Sequence, residues 1–179
     1  MYNLIKNNII ENLKSRNCDI TIFPYNTSYE KIMSINPKGI LLSNGPGDPK
    51  DVYDVVGVIK KMINTVPIFG ICLGHQLLSL ALGGDTYKMK FGHRGGNHPV
   101  QDLATGKIEM TSQNHGYAVR AESLGGTGLA VTHRNLLDGT VEAPHLALGS
   151  FALGGAKGIG HVAGPFRAVT GRLHLTADR

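Results

Sequence analysis

Cys72 stands in Gly70-Ile71-Cys72-Leu73-Gly74, between an apolar run that reads as a strand and one that reads as a helix. A nucleophile on a tight turn between strand and helix takes a strained backbone, and glycines two residues to either side remove the clashes of that turn. The pattern Gly-x-Cys-x-Gly thus predicts a thiol nucleophile at a corner, where hydrolases of this form carry serine. The following helix points its amino terminus at the sulfur, which is expected to lower the thiol pKa and to leave the Leu73 N–H available to an oxyanion. The competing reading is a small buried cysteine between packing glycines. Cys18, the other cysteine, reads as that kind of buried hydrophobe.

A second turn, SNGPGDP from Ser43 to Pro49, follows an apolar run at the carboxyl end of a predicted strand, the edge where open α/β sheets hold ligands. Gly45 and Gly47 let a substrate approach the backbone and offer N–H groups as further oxyanion donors. His93, His98 and His115 invite a metal reading, but their spacing matches no common ligand pattern, and no metal is expected in this chain. No Gly-x-x-x-x-Gly-Lys-Ser/Thr run exists to cradle nucleotide phosphates.

The elements that must position these residues alternate. Leu4, Ile5, Ile9 and Leu13 recur at helical spacing, so the chain opens on an amphipathic helix. DITIF reads as a strand ended by Pro24. SYEKIMSIN reads as a helix capped by Ser28, and GILLSN as a buried strand running into GPGDP. DVYDVVGVIKKMIN is a third helix, with acids first and lysines last as the helix dipole favours; VPIFGI is a strand and LGHQLLSLALGG the helix after it. Strands that read apolar throughout and alternate with helices mean a parallel sheet covered on both faces. The fold class is therefore α/β, three-layered, with a mostly parallel sheet. After Gly84 the segments DTYKMKFG, KIEMTSQN, YAVRAE and LAVTHRN read as antiparallel hairpins appended to that sheet.

Composition narrows the classes. At 179 residues the chain suits one domain. The net charge of +5 comes from scattered lysines and arginines with few interleaved aromatics, so no nucleic-acid partner is expected. VPIFGICLGHQLLSLALGG is interrupted by His75, Gln76 and Ser79, so no membrane partner is expected either. Two distant cysteines and no secretory signal fit a reducing cytoplasm. From Ala143 onward the chain holds no Asn, one Ile and one Lys, with seven Gly and seven Ala; residues 143–179 read as a tail foreign to residues 1–142 or out of their reading frame.

Four stretches in order, ILLSNGPGDP, PIFGICLGHQLL, MKFGHRGGNHPV and SQNHGYAV, together resemble the class I glutamine amidotransferase family. KFGHRGGNHPV, with QNHGYAV and VTHRNLLDGTVE, is similar more narrowly to the branch that serves carbamoyl phosphate synthesis, over about residues 2 to 142. The resemblance implies a flavodoxin-like fold and a glutaminase. Cys72 would attack the side-chain amide of glutamine, giving a glutamyl thioester and ammonia, and water would then free glutamate. It implies Gly47 and Leu73 as backbone oxyanion donors, and Gly45, Gln76, Asn114, Gly116 and Tyr117 as residues that hold glutamine. It implies a large synthetase chain as partner for the arginine and pyrimidine pathways, with ATP and metal on that partner and no cofactor in this chain.

The chain also departs from the family. The family's base is a histidine in a His-Pro-Glu motif, and no such triplet occurs; the single His-Pro pair is His98-Pro99. His161 falls near the expected place, with Ala163 where the glutamate would stand. A first strand ahead of the opening helix, and the domain before it, are missing from the pattern. Two alternatives therefore stay open: a catalytically impaired fragment or chimera that keeps the substrate cradle, and an amidotransferase of another pathway such as guanylate or anthranilate synthesis, against which KFGHRGGNHPV argues.

Overall fold

The structure is a computed structural model that describes residues 5–146, 151–154 and 173–176. Helix α1 (Asn7–Lys14) leads into β1 (Ile20–Phe23), and α2 (Tyr29–Met33) into β2 (Gly39–Leu42). A 3-10 turn over Pro49–Val52 opens α3 (Tyr53–Met62), followed by β3 (Ile68–Ile71) and α4 (Leu73–Ala81). Then come β4 (Thr86–Asp102), β5 (Ile108–Val119), β6 (Leu129–Asn135), β7 (Val141–Leu146), β8 (Phe151–Gly154) and β9 (Leu173–Thr176).

Local chemistry sets the helix ends, at Ser28 as the sequence predicts and at Asp48, where a 3-10 turn precedes the third helix instead of the helix beginning at Asp51. The Ser28 hydroxyl accepts from the Lys31 N–H at 3.3 Å, capping α2. The Asp48 carboxylate accepts from the Lys50 N–H at 2.9 Å, capping the 3-10 turn with Pro49 at its first position. Asp54 lies in the first turn of α3, and Lys60 and Lys61 in its last.

All pairings in the five-stranded sheet are parallel, in the order β1-β9-β2-β3-β8. Strand β2 shows why its sequence is apolar throughout. Ile40 and Leu42 enter a core with Ile32, Val56, Ile59, Met62, Ile68 and Leu78 under α2, α3 and α4. Leu41 points the opposite way, into a second core with Ile5, Leu13 and Phe69 under α1. Successive side chains of a strand face opposite sides, so two apolar layers demand an unbroken apolar strand. Each fully buried Leu or Ile contributes about 1.5–3 kcal/mol, and the eight largest side chains buried to below 2% exposure all belong to these layers.

The antiparallel segments differ from the expectation in one respect. Instead of extending the parallel sheet, β4, β5, β7 and β6 close on themselves as a small barrel. Strands β4 and β5 are long enough to cross its whole wall, with register shifts between Lys88 and His93 and between Gly95 and His98. Val119, Leu124, Leu129 and Val141 carry apolar contact from this barrel into the core beneath α4. The backbones of β8 and β9, both within residues 143–179, also join the parallel sheet; β9 lies between β1 and β2 and pairs with each. Among the described residues no helix is long and apolar enough to cross a membrane.

Candidate active site

Strand β3 delivers the chain to Cys72, and α4 begins at the next residue. Cys72 has φ 52° and ψ −106°, a conformation that costs a non-glycine residue about 1–3 kcal/mol. The flanking glycines make the corner possible. A Cβ on Gly70 would lie 2.6 Å from backbone atoms of Gly74 and His75, and one on Gly74 would run into the Leu42 carbonyl. The Gly74 N–H instead donates to the Ser43 carbonyl at 3.1 Å, pinning the first turn of α4 to the end of β2.

Burial pushes the Cys72 thiol up; the Leu73 N–H donated to the sulfur and the charge of Lys6 pull it down, and the Glu142 carboxylate pushes it up again. The net direction is upward, which corrects the expectation drawn from the helix terminus. The helix-end donor is there, but desolvation of the charged form outweighs it. Next along α4, His75 is fully buried, its Nε2 has no hydrogen-bond partner, and burial lowers its pKa to about 4. It is a neutral core residue at physiological pH.

The loop after β2 faces α4. Gly47 has φ 92°, and a Cβ on Gly45 would lie 2.5 Å from the Leu73 Cδ2. Residues of both motifs, Ser43, Asn44, Gly45, Leu73 and Gly74, line a small cleft of about 70 Å³ that opens to solvent. The structure thus brings Gly45 against Leu73, the residue next to Cys72.

Strand β5 reaches this place through Gln76 and Tyr117. The buried Gln76 Nε2 donates to the Tyr117 carbonyl at 2.7 Å, and His115 Nδ1 donates to the same oxygen at 2.9 Å. Gln76 therefore spends one amide donor on the fold. The Tyr117 side chain bonds to Asp48 in the glycine loop. Asn114 is exposed and paired in register with Arg94, and no atom lies within 4 Å of a Cβ built on Gly116. His161 lies outside the described residues.

Sequence spacing missed a buried polar cluster in the barrel. His93 from β4, His115 from β5 and Glu142 from β7 place one ligand-type atom each within 4.8 Å of one another. His93 Nδ1 is 3.1 Å from Glu142 Oε1, and His115 Nε2 is 3.5 Å from Glu142 Oε2. Asp138 Oδ2 lies 2.8 Å from His93 Nε2, and the Thr140 hydroxyl donates to Glu142 Oε1 at 3.1 Å. Burial pushes the Glu142 carboxyl up, but the histidines and Thr140 pull it further down; burial lowers His115, and Glu142 more than restores it. The signal available in sequence was an acid, Glu142, at a strand position between Val141 and Ala143 that the structure buries.

The model of the class I glutamine amidotransferase family matches residues 1–148. The carbamoyl phosphate synthase small chain of Clostridium acetobutylicum is 62% identical over 138 residues, covering 77% of this chain and 39% of that protein. The carbamoyl phosphate synthase pyrimidine-specific small chain of Lactiplantibacillus plantarum is 56% identical over 138 residues, 77% of this chain and 38% of its own length. The chain spans about two-fifths of the length of these curated relatives. A solved Thermoplasma acidophilum structure, that of a candidate GMP synthase component, superposes with a TM-score of 0.68 at 17% identity, over 86% of this chain and 83% of its own; the likeness is one of fold. With the family model running through the cysteine corner, the glycine loop and the β4–β5 motifs alike, this chain belongs to the class I glutamine amidotransferase family.

Proposed function

We propose that this chain carries the glutamine-hydrolysing site of a carbamoyl phosphate synthase small chain, with Cys72 as nucleophile. The observation that carries the reading is the Cys72 corner, a strained cysteine with the Leu73 N–H on its sulfur and the glycine loop alongside. In this reading the sulfur bonds to the amide carbon of glutamine, and the oxygen takes the charge under the N–H groups of Leu73 and Gly47. Collapse breaks the C–N bond, and the nitrogen takes a proton and leaves as ammonia. Water then cleaves the thioester, returning glutamate and the thiol. Gly45, Gln76, Asn114, Gly116 and Tyr117 hold the glutamine, with the Gln76 carbonyl and its second amide N–H left for substrate. A large synthetase chain takes up the ammonia for pyrimidine and arginine synthesis in the cytoplasm; ATP and metal belong to that chain. Residues 1–142 carry the amidotransferase motifs, and residues 143–179, which differ from them in composition, supply β8 and β9 to the same sheet.

A second reading, a domain that binds glutamine and turns it over poorly, is favoured by two observations. The Cys72 thiol is held above its usual value, and the sequence has no His-Pro-Glu triplet. General-base assistance is worth roughly 10²–10⁴-fold in rate, so glutamine hydrolysis is expected that far below a small chain that has the triplet. Glutamate and ammonia release by the purified chain and by Cys72→Ala tests both. Weak turnover abolished by Cys72→Ala supports the proposal; turnover equal in the two proteins refutes Cys72 as nucleophile. Rapid Cys72-dependent turnover refutes the second reading and makes His161→Ala the next variant.

A further inference from the structure

The buried cluster between β4, β5 and β7 has a polarity problem that a cation solves. Each imidazole turns one nitrogen outward to an acceptor: His93 Nε2 to Asp138 at 2.8 Å, and His115 Nδ1 to the Tyr117 carbonyl at 2.9 Å. The Tyr117 carbonyl fixes N–H on His115 Nδ1, and with the His93 proton on Nε2 toward Asp138, the nearer of its two carboxylates, the inner nitrogens of the neutral rings present lone pairs. The amide nitrogen of Asn135, 3.4 Å from His93 Nδ1, fits a lone pair there. Yet the same Nδ1 faces Glu142 Oε1 at 3.1 Å, and His115 Nε2 faces Glu142 Oε2 at 3.5 Å and Gln113 Oε1 at 3.2 Å. Electron-rich atoms oppose one another across the centre.

A divalent ion between the three inner atoms would take up both lone pairs and the carboxylate, in a site where the His93 and Glu142 side chains are 7% and 5% exposed. We propose that His93, His115 and Glu142 form a binding site for a divalent transition metal, with zinc, which two imidazoles and one carboxylate hold in a four-coordinate site, as the ion to test.

The supporting shell is that of a metal site. Metal-binding histidines characteristically donate their other N–H to a carboxylate or a backbone carbonyl, and the ligating carboxylate is itself hydrogen-bonded. Asp138 and the Tyr117 carbonyl fill the first two places, and the Thr140 hydroxyl stands between Asp138 Oδ1 at 2.7 Å and Glu142 Oε1 at 3.1 Å. Zinc–ligand bonds of about 2.0–2.1 Å set neighbouring ligand atoms about 3.3 Å apart in a tetrahedron; His93 Nδ1 is 3.1 Å from Glu142 Oε1 and His115 Nε2 3.5 Å from Glu142 Oε2, and the three ligand atoms, all within 4.8 Å of one another, would draw together round an ion. A separate observation also points to a ligand. His98 is 9% exposed, packs its ring 4.8 Å from that of His93, and has both ring nitrogens buried without a hydrogen-bond partner. The three ligands come from positions 93, 115 and 142, too far apart in sequence for any spacing pattern to find them.

The test uses the full chain and zinc itself. After incubation with zinc sulfate and dialysis into metal-free buffer, elemental analysis is expected to find one zinc per chain. Cobalt in its place is expected to give the intense visible bands of a tetrahedral site. His115→Asn and Glu142→Gln are expected to lose the bound ion, and Asp138→Asn to weaken it by roughly 10–100-fold. Cys72→Ala is expected to keep it, so the outcome is independent of whether Cys72 hydrolyses glutamine. Unaltered protein that retains no zinc and gives no tetrahedral cobalt spectrum overturns the proposal, with the cluster then held by protons. So does retention of the ion by folded His115→Asn and Glu142→Gln, and so does its loss from Cys72→Ala.

Discussion

The Cys72 thiol sits in two opposed fields. A helix-end N–H and the Lys6 charge favour the thiolate, while burial and the Glu142 carboxylate oppose it, and the opposition wins. Alkylation of Cys72 by iodoacetamide in metal-free buffer, followed by mass spectrometry, is therefore expected to rise with pH through a midpoint above the ordinary thiol value. Glu142→Gln removes a negative charge, so the midpoint is expected to move down; an unmoved midpoint would show that the Glu142 charge does not reach the sulfur. The corner itself was legible at this scale, because the spacing of Gly70 and Gly74 about Cys72 states a local backbone requirement. The direction of the thiol shift was not, because it depends on what packs over the sulfur and on an acid seventy residues away.

Helix α4 joins the corner to the core and carries its own pH dependence. Folding takes His75 from an ordinary value of 6.5 to about 4, so it favours the neutral ring. The resulting stability is fully present above about pH 6.5 and is lost as pH falls through about 4, a loss of roughly 3 kcal/mol. Urea unfolding at pH 7 and pH 4 is expected to show that extra loss in the unaltered protein relative to His75→Leu. In metal-free buffer the difference between the two profiles matters because His115 is shifted upward and contributes with the opposite sign, its stabilisation fading as pH rises. Parallel profiles would show that His75 reaches water in the folded state. The helix was readable as an apolar period between glycines; the burial of His75 on it came from its neighbours in space.

At the scale of the whole molecule the parallel sheet depends on residues far along the chain. Strand β9 lies between β1 and β2, with Leu173 opposite both Ile20 and Gly39. Proline is excluded from strands paired on both sides, since it removes a ladder donor. His174→Pro is thus expected to lower unfolding stability by roughly 1–3 kcal/mol for the carbonyl it leaves unpaired. An unchanged urea midpoint would mean that β9 does not hold the sheet together. The Gly- and Ala-rich composition of residues 143–179 gave no sign of this role, because a strand in the middle of a sheet is recruited by the backbone groups of its neighbours as much as by its own side chains.

The sequence by itself determined whatever depends on near neighbours along the chain. The glycines made the cysteine corner, Ser28 opened its helix, and the unbroken apolar run Ile40-Leu41-Leu42 required a layer on each face. Tertiary structure alone decided three things: that the antiparallel strands close into a barrel, that desolvation outweighs the helix terminus at Cys72, and that His93, His115 and Glu142 meet. The reason is common to all three. Strand pairing, burial and charge act through space with strengths set by distance and dielectric, and neither quantity is written in the order of residues until the strands have paired.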